Sequence, residues 1–541
     1  MLSAALFFAI VSSGVLAQNN DWTKPCLDGE CFWDIPASAN VSGTMRVWGA
    51  PTAISDITTA AGWTILNCDP NALAQDIRLV CTGAASDCDH LFQGGATDTL
   101  VRLPTSCGAS PFARVTRTWV HADQSLPANV ARQLARRDDP AVVQGVAVDT
   151  NFDEADPVNG DVNVAISGTT VPGQTGNLTV TPPPAAPARR SRFQKRGLFS
   201  FIEDQFKKFN SFDSNVTKSL PPIDVDKSFP LFSQSISCPA PAVSASVSAS
   251  VDAKAHAVIS LGMSAVGKII PPSLSEFGVF VGLDADLSGS MQLTGSATGS
   301  IDTGLIDVFS AGIPGLDFPG ILTIGPTFKI QAQATATLDV NVDAKVVLAY
   351  HVENAKLFFP KSDSLTSGGT FNPADSPLSL SVAPSVASKG VVSAHVIPRL
   401  DLGVSGLAGT ASATVFLTLD ASASMTLSLD ANATAGVSTT DPAAASANVN
   451  GCIDVGAGLA VTAGASADFF GLFDPNTKVN LFTKNFDLFK KCLGASTPAR
   501  RDIVMLESSL TRRADLGCPA AIANLFKAVD EAVPAASIVG V

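Results

Sequence analysis

From position 410 to 437 hydrophobic and polar residues alternate one by one. Every odd-numbered position from Ala411 to Val437 is apolar, and the even ones from Thr410 to Thr434 carry Thr, Ser, Asp or Asn, with Phe416 the exception. Successive side chains of a strand point to opposite faces, so this period of two predicts a β-ribbon with one dry and one wet face. At ~3.3 Å per residue the stretch would extend on the order of 90 Å. The same grammar recurs at 243–261, 281–301, 330–348 and 452–467. One wet face per strand implies antiparallel pairing, since parallel sheets are usually covered on both sides. The dry faces are rich in alanine, which buries less area than Val or Leu, so strand length must substitute for bulk. The expected fold class is mainly β: a small disulfide-rich N-terminal module, then a large antiparallel β domain with unusually long alternating strands, arranged as an elongated sandwich or flattened tube.

Export is the next expectation. Residues 1–17 form an apolar run ending in Val15-Leu16-Ala17, with small residues where a signal peptidase reads, and are taken as a signal peptide. No later stretch reaches the ~20 apolar residues of a membrane helix. The last residues are too short for a lipid-anchor signal, so a secreted, extracellular protein with no transmembrane anchor is expected. The ten cysteines, Cys26, Cys31, Cys68, Cys81, Cys88, Cys107, Cys238, Cys452, Cys492 and Cys518, are even in number and suit an oxidising compartment as disulfide candidates. Zinc is the weaker reading, because the chain has only five histidines and no Cys-x-x-Cys, and no metal or cofactor is expected. Asn40, Asn177, Asn215 and Asn432 each open an Asn-x-Ser/Thr tripeptide and are glycosylation candidates.

Composition divides the chain. All five tryptophans lie within the first 119 residues together with six of the ten cysteines, marking 18–126 as a Cys/Trp-rich module. Residues 127–235 read as a Pro-rich linker, 236–494 as the long-stranded β domain and 495–541 as a tail. Basic pairs ending at Arg137, Arg190, Arg196, Arg501 and Arg513 stand outside the alternating segments and are processing candidates for a kexin-like protease of the secretory pathway; plain solvated charge is the other reading. Behind Arg196, positions 197–212 set Leu198, Phe201, Ile202, Phe206 and Phe209 at helical spacing. The polar side of that helix mixes both charge signs, which favours a docked helix over a membrane-active peptide. Ile522, Leu525, Phe526, Val529 and Val533 predict a short helix in the tail.

Two blocks carry a resemblance. The segment 306–330, Ile-Asp-Val-Phe-Ser-Ala-Gly-Ile-Pro-Gly-Leu-Asp-Phe-Pro-Gly-Ile-Leu-Thr-Ile-Gly-Pro-Thr-Phe-Lys-Ile, is similar to one in secreted fungal proteins with a β-rich domain of unknown function. Near the N-terminus, Ala61-Gly62-Trp63, Gln75-Asp76-Ile77-Arg78-Leu79-Val80-Cys81 and Leu100-Val101-Arg102-Leu103-Pro104 resemble a block of uncharacterised secreted basidiomycete proteins. The resemblance implies a fungal extracellular origin and brings no catalytic residue with it.

Chemistry is sparse. No Gly-x-Ser-x-Gly, His-Glu-x-x-His or paired-cysteine redox motif occurs. Positions 262–268 match the start of a phosphate loop, but Ile269 follows where a metal-binding Ser or Thr belongs. His90, His121, His256, His351 and His395 are scattered, and Asp284, Asp286, Asp339 and Asp343 read as solvated charge that discourages edge-to-edge association. A net charge of −13 and a pI near 4.8 argue against nucleic acid as a partner. What remains is a non-catalytic structural or binding protein of the cell wall or matrix, with polysaccharide as partner. The alternatives are a carrier holding an apolar ligand between its sheets and an enzyme of unrecognised type.

Overall fold

The computed structural model describes residues 20, 23–36, 40–135, 141–175, 178, 180, 200–212, 217, 220–239, 242–296, 298–338, 342–361, 364–382, 389–406, 411–429, 451–466, 478–493, 513–518, 526–533 and 539–540. The signal-peptide segment lies outside them. The chain is mainly β, with disulfides and large curled antiparallel sheets, as the alternation predicts. It divides into two compact units. One is Met1–Lys208 with Met263–Phe277 and Leu316–Leu322; the other is Phe209–Gly262 with Gly278–Gly315 and Thr323–Val541.

In chain order the strands are β1 (Glu30–Asp34), β2 (Ser42–Gly49), β3 (Ile54–Asp56), β4 (Trp63–Asn67), β5 (Gln75–Cys81), β6 (Leu100–Arg102), β7 (Phe112–Val120), β8 (Val143–Asp149) and β9 (Val162–Thr169). There follow β10 (Ile223–Pro239), β11 (Ala242–Ile270), β12 (Ser273–Gly295), β13 (Thr298–Asp302), β14 (Ile306–Gly312), β15 (Leu316–Phe318), β16 (Leu322–Leu338), β17 (Val342–Phe359), β18 (Gly368–Pro373) and β19 (Ser376–Val382). The last are β20 (Lys389–Gly406), β21 (Ala411–Leu429), β22 (Gly451–Ala465), β23 (Lys478–Leu493), β24 (Arg513–Gly517), β25 (Phe526–Val533) and β26 (Val539–Gly540). Helices are α1 (Ala85–Asp89), α2 (Ala128–Leu134) and α3 (Ser200–Asn210).

The first unit holds a six-stranded sheet in the order β3-β6-β7-β8-β5-β4, antiparallel except for β3 beside β6. Ile77, Leu79, Val101, Val115, Val146 and Val148 fill its core around Trp63. Disulfides Cys68–Cys107 and Cys81–Cys88 brace it, and Cys26–Cys31 closes a short loop beside it. Residues expected in a linker take part: β8 sits between β5 and β7, and β9 pairs with β2. The prolines around these segments mask Val143, Val146 and Val148, whose burial completes the core. Gly145 is required there, since a Cβ would stand 2.2 Å from the Trp119 ring that lies over it. Among buried charges, Asp56 and Arg102 pair at 2.5 Å.

Helix α3 buries Phe201, Ile202, Gln205 and Phe206. Gln205 joins a polar chain: the Ser167 hydroxyl donates to its Oε1 at 3.1 Å, and Ser264 stands 3.3 Å from that hydroxyl. Glu276 of β12, also buried, accepts the Ile202 N–H at 3.3 Å, and burial pushes its carboxyl up to about 7. Because the folded value exceeds the unfolded one, this stability is present in full below pH ~4.5 and is lost as pH rises through about 7. We expect the first unit to melt lower at pH 8 than at pH 5, with a contribution on the order of 2–3 kcal/mol. Thermal melts of Glu276→Gln should lose that part of the pH dependence; an unchanged profile would refute the assignment.

The second unit is built from two antiparallel sheets, one running β10, β11, β12, β17, β19, β25 and the other β13, β16, β20, β21, β22, β23. Parity governs both. Ala245, Val247, Ala249 and Val251 of β11 face a core shared with Ile330, Ala332 and Ala334 of β16, Ala423 and Met425 of β21, and Val455 and Ala457 of β22. The Cys452–Cys492 disulfide joins directly opposed residues of β22 and β23, and Cys238–Cys518 ties β10 to the residue after β24. Three expectations are corrected. The stretch 281–301 is not one strand, because it ends β12 and takes in most of β13 in the other sheet. The stretch 330–348 is not one strand, because it ends β16 and begins β17. The C-terminal apolar residues form no helix where described: Phe526–Val533 is β25, paired along β19, because an open sheet edge supplies backbone partners that a short amphipathic segment lacks alone.

Candidate functional site

Between the two sheets of the second unit lies a cavity, part of it open to solvent. Strand parity builds its walls. Val251, Ala253 and Ala255 come from β11, Leu287 and Gly289 from β12, Tyr350 from β17, Ile330 from β16, Ala394, Val396 and Pro398 from β20, and Ala421 and Ala423 from β21. Leu287 stands opposite Tyr350, Val396 opposite Ala421 and Ala394 opposite Ala423. Space remains because the facing positions are so often alanine: two sheets held about 10 Å apart need larger side chains to meet. Gly289 is the tight point, where a Cβ would come within 3.2 Å of Val396 Cγ2.

Of the polar groups that border the cavity, Lys254 and Ser290 are engaged elsewhere and Ser288 is half-buried. Lys254 Nζ pairs with Asp226 at 3.2 Å, and the Ser290 hydroxyl donates to Asp252 at 2.6 Å. The exception is Tyr350, whose side chain is buried and whose hydroxyl has no hydrogen-bond partner. Burial raises its pKa above the ordinary tyrosine value, so the phenol is neutral. The arrangement can enclose an apolar molecule and offer it one uncharged donor and acceptor.

Three of the five histidines pair with aspartates across strands. His256 Nδ1 lies 2.6 Å from Asp224 and His351 Nδ1 2.6 Å from Asp286, both exposed, while His395 lies 2.8 Å from Asp420. Asp284 accepts the Asn354 N–H and Asp343 the Thr294 hydroxyl; Asp339 lies outside the described residues. His90 is buried against the Ser55 hydroxyl at 3.1 Å, and His121 lies within its own turn with Asp123. Among the described residues no three His, Cys, Asp or Glu side chains gather to hold a metal ion.

The remaining sequence candidates are placed as follows. All ten cysteines are paired. Asn40 is exposed at a positive φ of 53°; Asn177, Asn215 and Asn432 lie outside the described residues. So do Arg137, Arg190, Arg196 and Arg501. Arg513 opens β24 opposite Asp302, so it stands in a hydrogen-bonded ladder and not in an open loop. Tyr350 is the residue that sequence reasoning passed over. Its signal was available, because the chain has 30 phenylalanines and one tyrosine.

A domain of unknown function (DUF7223) covers residues 274–494. That span holds every strand of the cavity wall except β11. No curated protein and no solved structure matches the chain.

Proposed function

We propose that this chain is an exported, non-catalytic binding protein of a fungal cell surface or matrix, and that its long-stranded unit shelters an apolar ligand between its sheets. The cavity carries this reading: its walls are mostly apolar, and the Lys254 and Ser290 groups at its border are already paired with Asp226 and Asp252. Complete pairing of the cysteines and the exposed Asn40 side chain, which opens an Asn-x-Ser tripeptide, support export. Among the described residues no helix is long and apolar enough to cross a membrane. The resemblance of segment 306–330 to secreted fungal proteins supports the source.

Native mass spectrometry of the protein purified from culture medium without detergent tests the reading. One apolar molecule per chain should be present and should be released by organic solvent. Ala423→Leu, which projects into the cavity from β21, should lower the bound fraction about tenfold, at a cost to the fold of about 1–3 kcal/mol or less. Protein that carries no such molecule, and takes up no apolar probe, would leave the cavity without a function.

A further inference from the structure

Phenylalanine and tyrosine fill the same space and differ by one oxygen. In a chain of 30 phenylalanines and one tyrosine, an aromatic core position is filled by phenylalanine almost without exception. A hydroxyl taken out of water without a partner destabilises the fold, so the exception calls for a compensating contact. The single tyrosine is Tyr350. Its ring lies 6.2 Å from that of Phe486 and borders the cavity, and its hydroxyl is buried with no partner from the protein. Neither the neighbours across the cavity, such as Ile330, Ala394, Val396 and Ala423, nor Leu287 beside it can accept or donate a hydrogen bond through its side chain.

We infer that the cavity takes a ligand with an uncharged hydrogen-bonding oxygen, a carbonyl or hydroxyl on an otherwise apolar skeleton, and that Tyr350 is the residue that recognises this oxygen. The inference rests on the proposed binding of an apolar ligand and adds its chemical class. Charged head groups are disfavoured: among the described residues the one cation bordering the cavity, Lys254, is held by Asp226, and a carboxylate would have to shed its water against an apolar wall. A neutral phenol can give its proton to a carbonyl or hydroxyl oxygen, and such a bond discriminates sharply against the analogue lacking that oxygen.

The test uses the full chain with two probes of nearly equal shape, naphthalene and 2-acetylnaphthalene, titrated by calorimetry into the wild type, Tyr350→Phe and Ala423→Leu. Wild type should bind the ketone about tenfold tighter than the hydrocarbon, the worth of one net hydrogen bond. Tyr350→Phe should bind both alike, at the wild type's hydrocarbon affinity, and melt no lower than wild type. Because Tyr350 is the only tyrosine, the phenol Raman doublet of the wild type reports this hydroxyl alone, and it should change with the ketone and stay put with naphthalene. Equal binding of the two probes by wild type, or a ketone preference that survives in Tyr350→Phe, overturns the role of Tyr350 and leaves the cavity reading standing. Binding of neither probe overturns both. Binding unchanged in Ala423→Leu places the probes elsewhere and likewise removes both.

Discussion

Asp56→Ala should destabilise the first unit by about 3–5 kcal/mol, the usual cost of stranding one partner of a buried ion pair. Asp56 and Arg102 are almost wholly buried. One carboxylate oxygen accepts Arg102 Nε at 3.0 Å, its Nη2 at 2.5 Å and the Cys26 N–H at 3.0 Å; the other accepts the Thr58 N–H at 2.7 Å. Removing the carboxylate takes the counter-charge from a buried guanidinium and the acceptor from the Cys26 and Thr58 N–H groups. The guanidinium keeps a bond to the Lys24 carbonyl. Tryptophan emission is the readout, because every tryptophan of the chain belongs to this unit. A melt within about 1 kcal/mol of wild type would mean that water reaches the pair, contrary to its burial.

Leu417→Asp should cost the second unit about 4 kcal/mol or more, because a leucine's contacts are lost and an unpaired charge is buried in their place. Leu417 is 4% exposed on the inner parity of β21, opposite Leu400 and Ala463. One residue along, Thr418→Asp reaches the outer face. It gives up a hydroxyl contact with Thr462 but gains Arg399 directly across the strand pair, so about 1 kcal/mol or less is expected. Far-ultraviolet melts of the pair decide the matter. Similar losses in both variants would mean that the two faces of β21 are not unequal.

Parity was legible because burial on one side of a sheet imposes it. Along β21 the odd residues Ala413, Val415, Leu417 and Leu419 are buried, as the alternation demands. The same signal misled at 330–348. Ile330 to Ala336 and Ala344 to Leu348 keep their apolar residues on even numbers, so the passage from β16 in one sheet to β17 in the other leaves the period unbroken. Periodicity also cannot see partners. β25 repeats its apolar residues at helical spacing and becomes a strand because β19 offers an edge. The cavity was legible only as a surplus of alanine. Which alanines face one another depends on register between strands far apart in sequence, such as Ala255 of β11 and Ala423 of β21, and no local pattern encodes that.

The bond between Cys238 and Cys518 turns most of the second unit into a covalent ring, with 280 positions between its ends and the Cys452–Cys492 loop nested inside it. Even when every strand has melted, the chain stays circular. In the chain-entropy picture a closure of this length is worth about 5–6 kcal/mol, felt entirely in the unfolded state. Positions 501 and 513 fall within the circle, whereas 137, 190 and 196 fall outside it. A protease acting at either of the first two would open the ring and release no piece of it, whereas cuts at both would free only the cysteine-less segment 502–513. A protease acting at the last three would part the chain into fragments with no disulfide between them.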